Sequence, residues 1–176
     1  MGDIQGTIED YNTAIQLNPN KPEYYNYRGF LKNEIGDWDS ALDDFNKAIK
    51  LKDDFLFAIM GRAKVLYNLK SYKESIIEYT KLINLASSGI NDHYLSRGYC
   101  YLALNQYEEA ISDYKIAINL KPEYSISYML LAELYKIKKD YKNAIVNYTK
   151  AIEKDTSIYV ASYHYERGDC YFALEE

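Results

Sequence analysis

The residues best equipped for chemistry in this chain are two histidines and two cysteines, and their spacing argues against any. His93 and Cys100 lie seven residues apart. On a helix that is roughly 10 Å along the axis, too far for a shared ligand. Cys100 and Cys170 stand seventy residues apart on matching segments, "RGYCYLALNQ" and "RGDCYFALEE". That separation places them too far apart for a bridge. No zinc-type Cys/His spacing, phosphate-cradling glycine loop or nucleophile elbow occurs. Arg167-Gly168-Asp169 spells a cell-adhesion tripeptide and Asn147-Tyr148-Thr149 a glycosylation sequon. Both fall inside helical patterns and read as coincidences of letters. The expectation is therefore a protein that is not an enzyme, with no catalytic residues, no cofactor and no metal.

Composition narrows the remaining classes. The 176 residues are 48% hydrophobic and 27% charged, enough apolar material for a core and enough charge for solubility. A net charge of −5 and a pI near 5.2 speak against a nucleic-acid partner, because phosphate contacts need clustered Lys and Arg. No apolar run reaches the roughly 20 residues a membrane span needs. Two cysteines are too few for a disulfide framework and suit a reducing compartment, so a cytoplasmic location is expected. Tyrosine is the anomaly: there are 21, against one Trp and five Phe.

The elements that carry these residues repeat. Small residues at Gly29, Ala63, Gly98, Ala132 and Gly168 follow one another in steps of 34, 35, 34 and 36. A fixed period near 34 marks stacked supersecondary units. Each unit holds two helical patterns separated by a short break: "IGDW", "LKSY", "LNQY" or "KKDY". In the second pattern, residues 110–122 place Ala110, Ile111, Tyr114, Ala117 and Ile118 on one stripe of a 3.6-residue helix.

This pattern resembles the tetratricopeptide repeat over essentially the whole chain. The resemblance rests on recurring positions. Tyr94, Arg97, Gly98, Tyr101, Ala110, Tyr114 and Pro122 serve one unit, and Tyr25, Arg28, Gly29, Ala41, Phe45 and Ala48 another. Lys32 and Asp53 depart from it, and the second unit is the most degenerate. It implies an all-α, right-handed α-solenoid of stacked antiparallel helix pairs forming a single array. In register, residues 3–21 are the second helix of a partial unit. Full units follow at 22–55, 56–90, 91–124 and 125–160, and 161–176 is the first helix of a fifth. Half-units at both ends suggest a segment of a longer array, or ends that a partner covers, with end-to-end self-association as one outcome. Thirteen tyrosines, among them Tyr114, Tyr148 and Tyr171, fall on signature positions between helices, where rings bury and hydroxyls reach an edge. A further regularity predicts ion pairs within units. Position seven reads Arg28, Arg62, Arg97 and Leu131, while position twenty-three reads Asp44, Glu78, Asp113 and Asn147.

The resemblance also implies a concave, peptide-binding groove lined by first helices. Its candidate contacts are Tyr27 and Phe30 in the first unit, then Phe57, Met60, Lys64 and Tyr67 in the second. Tyr99 follows in the third, Met129 and Glu133 in the fourth, and Tyr165 in the fifth; Leu95 and Leu130 share the same register. A chaperone-tail clamp would need Lys, Asn and Arg where this chain has Asn26, Phe30, Gly61, Asp92 and Ser96. The asparagine ladder of glycosyltransferase arrays would need Asn where it has Tyr27, Gly61, Ser96, Leu130 and Glu166. Both patterns are missing. Six groove acids against two lysines favour a protein or peptide partner that is basic and apolar. The expected function is a non-catalytic protein–protein interaction scaffold. The alternative is a targeting or regulatory segment of a larger multidomain enzyme.

Overall fold

The computed structural model describes residues 3–175; Glu176, the last residue of the predicted fifth-unit helix, lies outside them. These residues form ten α-helices and no strand. They divide into two compact units, up to Ser87 and from Ser88. The first unit holds α1 (Ile4–Leu17), α2 (Pro22–Glu34), α3 (Trp38–Leu51), α4 (Leu56–Asn68) and α5 (Tyr72–Leu85). The second holds α6 (Ile90–Ala103), α7 (Tyr107–Leu120), α8 (Ser125–Ile137), α9 (Tyr141–Lys154) and α10 (Val160–Glu175). None is long and apolar enough to cross a membrane.

The turn inside each helix pair is made the same way four times. Gly36, Lys70, Asn105 and Lys139 all take positive φ, between 58° and 81°. Each donates its N–H three residues back, while the next residue's N–H reaches five back: Asp37 to Lys32, Ser71 to Leu66, Gln106 to Tyr101, Asp140 to Tyr135. These paired bonds form a Schellman motif, which satisfies carbonyls that the helix end would leave open. The second donor is then the N-cap of the following helix. At Asp37 and Asp140 the carboxylate accepts from the N–H of Ser40 and Asn143.

Between paired helices the spacing is set by an aromatic ring against a small residue. Phe45 is fully buried, and a Cβ added to Gly29 would lie 3.0 Å from it. A Cβ on Gly61 would overlap the same ring, so Phe45 wedges between α2 and α4. Tyr114 sits likewise against Gly98, and Tyr148 is equally buried among Ala132, Ala144 and Ala151.

The predicted ion pairs are present in all three units that carry the charges. Arg28 donates through Nε and Nη2 to both oxygens of Asp44, at 2.9 and 2.5 Å. Arg97 does the same to Asp113, at 2.8 Å each. Arg62 holds Glu78 through one bond of 2.7 Å, and the longer acid leaves Arg62 Nε and Glu78 Oε2 buried without partners. In the fourth unit Asn147 instead donates to the Asn143 carbonyl. Two of the ties also reach the helix before: Arg28 Nη1 to Asn12 Oδ1 at 2.6 Å, and Arg62 Nη1 to Asn46 Oδ1 at 3.0 Å. Lys32, a departure from the repeat pattern, adds a second cation to Asp44 at 2.9 Å.

The signature tyrosines are buried or half-buried with one exception. Tyr25 and Tyr128 donate to the carbonyls of Pro19 and Pro122, six residues earlier. In the second unit both members change together, to Ile59 and Asp53. Tyr171, expected between helices, is 52% exposed because no described helix covers that side of α10.

The wedge predicts opposite outcomes for two Gly→Ala changes. Gly98→Ala forces the Tyr114 ring to move, an overpacking cost of roughly 1–3 kcal/mol that exceeds the ~1 kcal/mol helix-propensity gain. At Gly168 the space a Cβ would take has no heavy atom within 4 Å, so Gly168→Ala keeps that gain. Urea unfolding should show a lower midpoint for the first and a higher one for the second; two shifts of the same sign would overturn the wedge.

Candidate functional site

Some of the residues expected to face a groove line two pockets, one in each unit, and others do not. In the first unit Glu23, Asn26, Tyr27 and Phe30 of α2 meet Phe55 and Phe57 around a cavity of about 350 Å³. Phe30 packs edge-on against Phe45 at 5.1 Å, which fixes it from the core side. Tyr27 stacks on Tyr11 at 5.8 Å yet stays half open to water. Asn26 is buried and its Oδ1 accepts no hydrogen bond among the described residues. Met60 is half-buried and Lys64 exposed, both outside this pocket. Tyr67 lies outside it too, edge-on to Tyr72 at 5.3 Å.

In the second unit Tyr99 of α6 and Ile126, Met129 and Glu133 of α8 face Tyr148 of α9 around about 440 Å³. Tyr159, Ser162, Tyr163 and Glu166 close the far side. A neighbouring cavity shares Glu133, Tyr148 and Glu166 and adds Lys136 and Ile137. The α9–α10 connection that supplies this wall is organised by Asp155. Its carboxylate accepts from the Ser157 N–H at 2.7 Å and the Ser125 hydroxyl at 3.2 Å. The Ser157 bonds hold that carboxyl below its usual range. Tyr163 is buried beside it, and burial first, with Asp155 next, pushes its phenol up to about 12. Tyr165, a groove candidate, is 69% exposed and lines neither cavity.

Electrostatics in this second pocket are unbalanced. Lys136 donates to Glu166 at 2.6 Å and to Asp169 at 3.1 Å. Burial works against its ammonium, but these two bonds prevail and raise its pKa. Glu133 has no cation within salt-bridge distance among the described residues. The surrounding protein raises its carboxyl pKa, Glu166 adds to the rise, and Lys136 opposes it. The Tyr148 hydroxyl is buried with no hydrogen-bond partner among the described residues. Burial, then Glu133 and Glu166, pushes its pKa upward.

The repeat pattern places the Tyr148 ring between helices with its hydroxyl able to reach an edge, and it does not single out Phe55, Tyr159 or Tyr163. Phe55 is the last residue before α4, and the 36-residue step before Gly168 was the available signal for the two tyrosines. Conversely, Leu95 and Leu130 are buried in the core of the second unit and offer no surface. The side chains with chemical potential are absorbed by structure. Cys100 and Cys170 are buried thiols outside any disulfide. Arg167 donates to Thr149 and approaches His164, and Asp169 holds Lys136. Asn147, the sequon asparagine, is 9% exposed. No group of three or more His, Cys, Asp or Glu among the described residues is arranged to hold a metal.

Glu133 generates a pH prediction. An acid whose pKa is raised by folding costs stability when ionised, and that cost disappears once the pH falls below its unfolded pKa. Glu133→Gln should therefore melt higher than the parent at pH 7 to 8, with the gap closing as the pH falls through the acidic range. Glu166, Asp169 and Lys136 are present in both proteins, so the comparison bears on Glu133. A variant that melts lower at neutral pH would show that the carboxylate is favourably placed.

Profiles of the tetratricopeptide repeat match residues 1–36, 92–124 and 126–155. A TPR repeat-containing protein of Methanocaldococcus jannaschii is 27% identical over 87% of this chain and 28% of its own length. The chain spans 24% and 17% of the length of two further curated relatives. Among solved structures, MamA from Desulfovibrio magneticus superposes with a TM-score of 0.82 at 24% identity, covering 87% of this chain and 86% of that one. YrrB, described as a TPR protein with an unusual peptide-binding site, gives 0.74 at 20% identity over 96% and 85%. Both structures establish the fold. With the repeated turn, wedge and arginine tie, these matches make the chain a member of the tetratricopeptide repeat family.

Proposed function

We propose that this chain is a non-catalytic interaction scaffold that binds a partner peptide or helix through its first-helix surface. The observation that carries the reading is the company its accessible aromatics keep. Tyr27, Phe57 and Tyr99 remain exposed at pockets that also hold polar oxygens without partners. An ordinary solvated face neither gathers large rings nor strands buried acceptors. Aromatic anchors in concave sites are what peptide recognition uses. The family likeness to a protein described by its peptide-binding site supports the same reading. Acids outnumber bases at these positions, so the favoured segment carries Lys or Arg among large apolar residues. Two buried cysteines outside any disulfide support a reducing compartment such as the cytoplasm.

The test is a titration of a basic–apolar peptide library against the parent, Tyr99→Ala and Glu23→Gln. Binding should weaken only partly with salt, since the apolar contribution is unscreened. Tyr99→Ala should cost about tenfold or more in affinity, as central aromatic anchors do, and Glu23→Gln only a few-fold. A library with no binder, or binders indifferent to Tyr99, would assign the aromatics to packing alone.

A further inference from the structure

The second-unit pocket specifies more than apolar surface. Glu133 and Glu166 stand close enough that the Glu166 charge raises the cost of ionising Glu133, and of the two only Glu166 has a lysine bound to it. Tyr148 lines the same cavity, and its hydroxyl is buried with no hydrogen-bond partner among the described residues. It lies within the electrostatic reach of both glutamates. Glu133, Glu166 and Tyr148 thus line one cavity, where Lys136 bonds Glu166 and Asp169 but no cation bonds Glu133 among the described residues. A primary ammonium carries three N–H donors and one positive charge, the complement of that set. Tyr99 and Tyr163 line the same cavity with aromatic rings, a residue type that attracts cations, and Met129 with Ile126 offers an apolar wall for an alkyl stem.

We propose that this pocket reads lysine: it takes the side-chain ammonium of a partner peptide between Glu133, Glu166 and the Tyr148 hydroxyl, with the stem along Met129. The proposal rests on the scaffold reading above and adds the chemistry of one subsite. The ammonium neutralises the repulsion between the glutamates and supplies the donor the phenol oxygen lacks. A neutral stem of the same length brings no charge to neutralise that repulsion.

The experiment uses n-butylammonium as the probe, with n-butanol as its neutral counterpart, followed by the ¹³C-methyl resonance of Met129. Met60, which lines neither cavity and belongs to the other unit, is the internal control. Butylammonium should shift Met129 saturably, in the roughly millimolar range suited to so small a ligand, and leave Met60 still. Butanol should not match it. Glu133→Gln should weaken the probe about tenfold. Tyr148→Phe, which removes only an unpartnered hydroxyl, should weaken it a few-fold while leaving the fold at least as stable. An unmoved Met129, an equal response to butanol, or an unchanged affinity in Glu133→Gln overturns the proposal. A capped peptide with one lysine should displace the probe, and its norleucine twin should not. A lysine peptide that leaves the probe in place overturns the lysine reading and assigns the site to a free amine instead. Because the probe contains no peptide, the pocket can fail while the scaffold reading stands, and the reverse.

Discussion

Everything in this protein depends on a buried ring lying against a residue with almost no side chain. Phe45 against Gly29 and Gly61, and Tyr114 against Gly98, bring helix backbones close enough for the remaining contacts to form. Arg28 reaches Asn12 on one side and Asp44 on the other only because α1, α2 and α3 are held within a guanidinium's span. Breaking a largely buried ion pair by removing one partner typically costs about 3–5 kcal/mol. The arginine ties therefore fix the register of helices that the apolar wedge has already brought together.

Much of this was legible in the letters, because each device repeats. The joint loss of charge at Leu131 and Asn147 marked Arg28–Asp44, Arg62–Glu78 and Arg97–Asp113 as partners. The period located the helices, and of the groove candidates Tyr27, Phe30, Phe57, Tyr99, Met129 and Glu133 line the cavities whereas Met60, Lys64, Tyr67 and Tyr165 do not. Less legible was what the period does not encode. Tyr148 obeys the repeat with its ring, and the period says nothing of its hydroxyl, which is buried without a hydrogen-bond partner among the described residues. Leu95 and Leu130 occupy surface positions by register, yet larger neighbours cover them. Tyr159 and Tyr163 belong to a connection of irregular length, where averaging over units gives no guidance.

The two charge systems are treated differently by the fold. In the arginine ties every carboxylate meets a cation, and the Asp44 and Asp113 side chains are only 4% exposed. In the second-unit pocket Glu133 is left without one, beside another acid and near an unpartnered phenol. Glu133 thus differs from the tied acids in lacking a cation, although the Arg62–Glu78 tie also leaves a buried nitrogen and a buried oxygen without partners among the described residues. Such an arrangement is usual where a surface is shaped for something other than its own folding.

The hairpin turn has a consequence for how this chain tolerates change in length. The residue completing one helix's end caps the start of the next, so the turn has no spare residue. Accordingly, Gly29 to Ala41, Ala63 to Ser75, Gly98 to Ala110 and Ala132 to Ala144 are each separated by 12 residues. All variation falls in the other joint, which runs 22, 23, 22 and 24 residues from Ala41 to Ala63, Ser75 to Gly98, Ala110 to Ala132 and Ala144 to Gly168. Insertions and deletions are thus channelled into one class of loop. The longest of these carries Tyr159 into the wall of the second-unit pocket, so a change in loop length reshapes that pocket without disturbing the hairpins that support it.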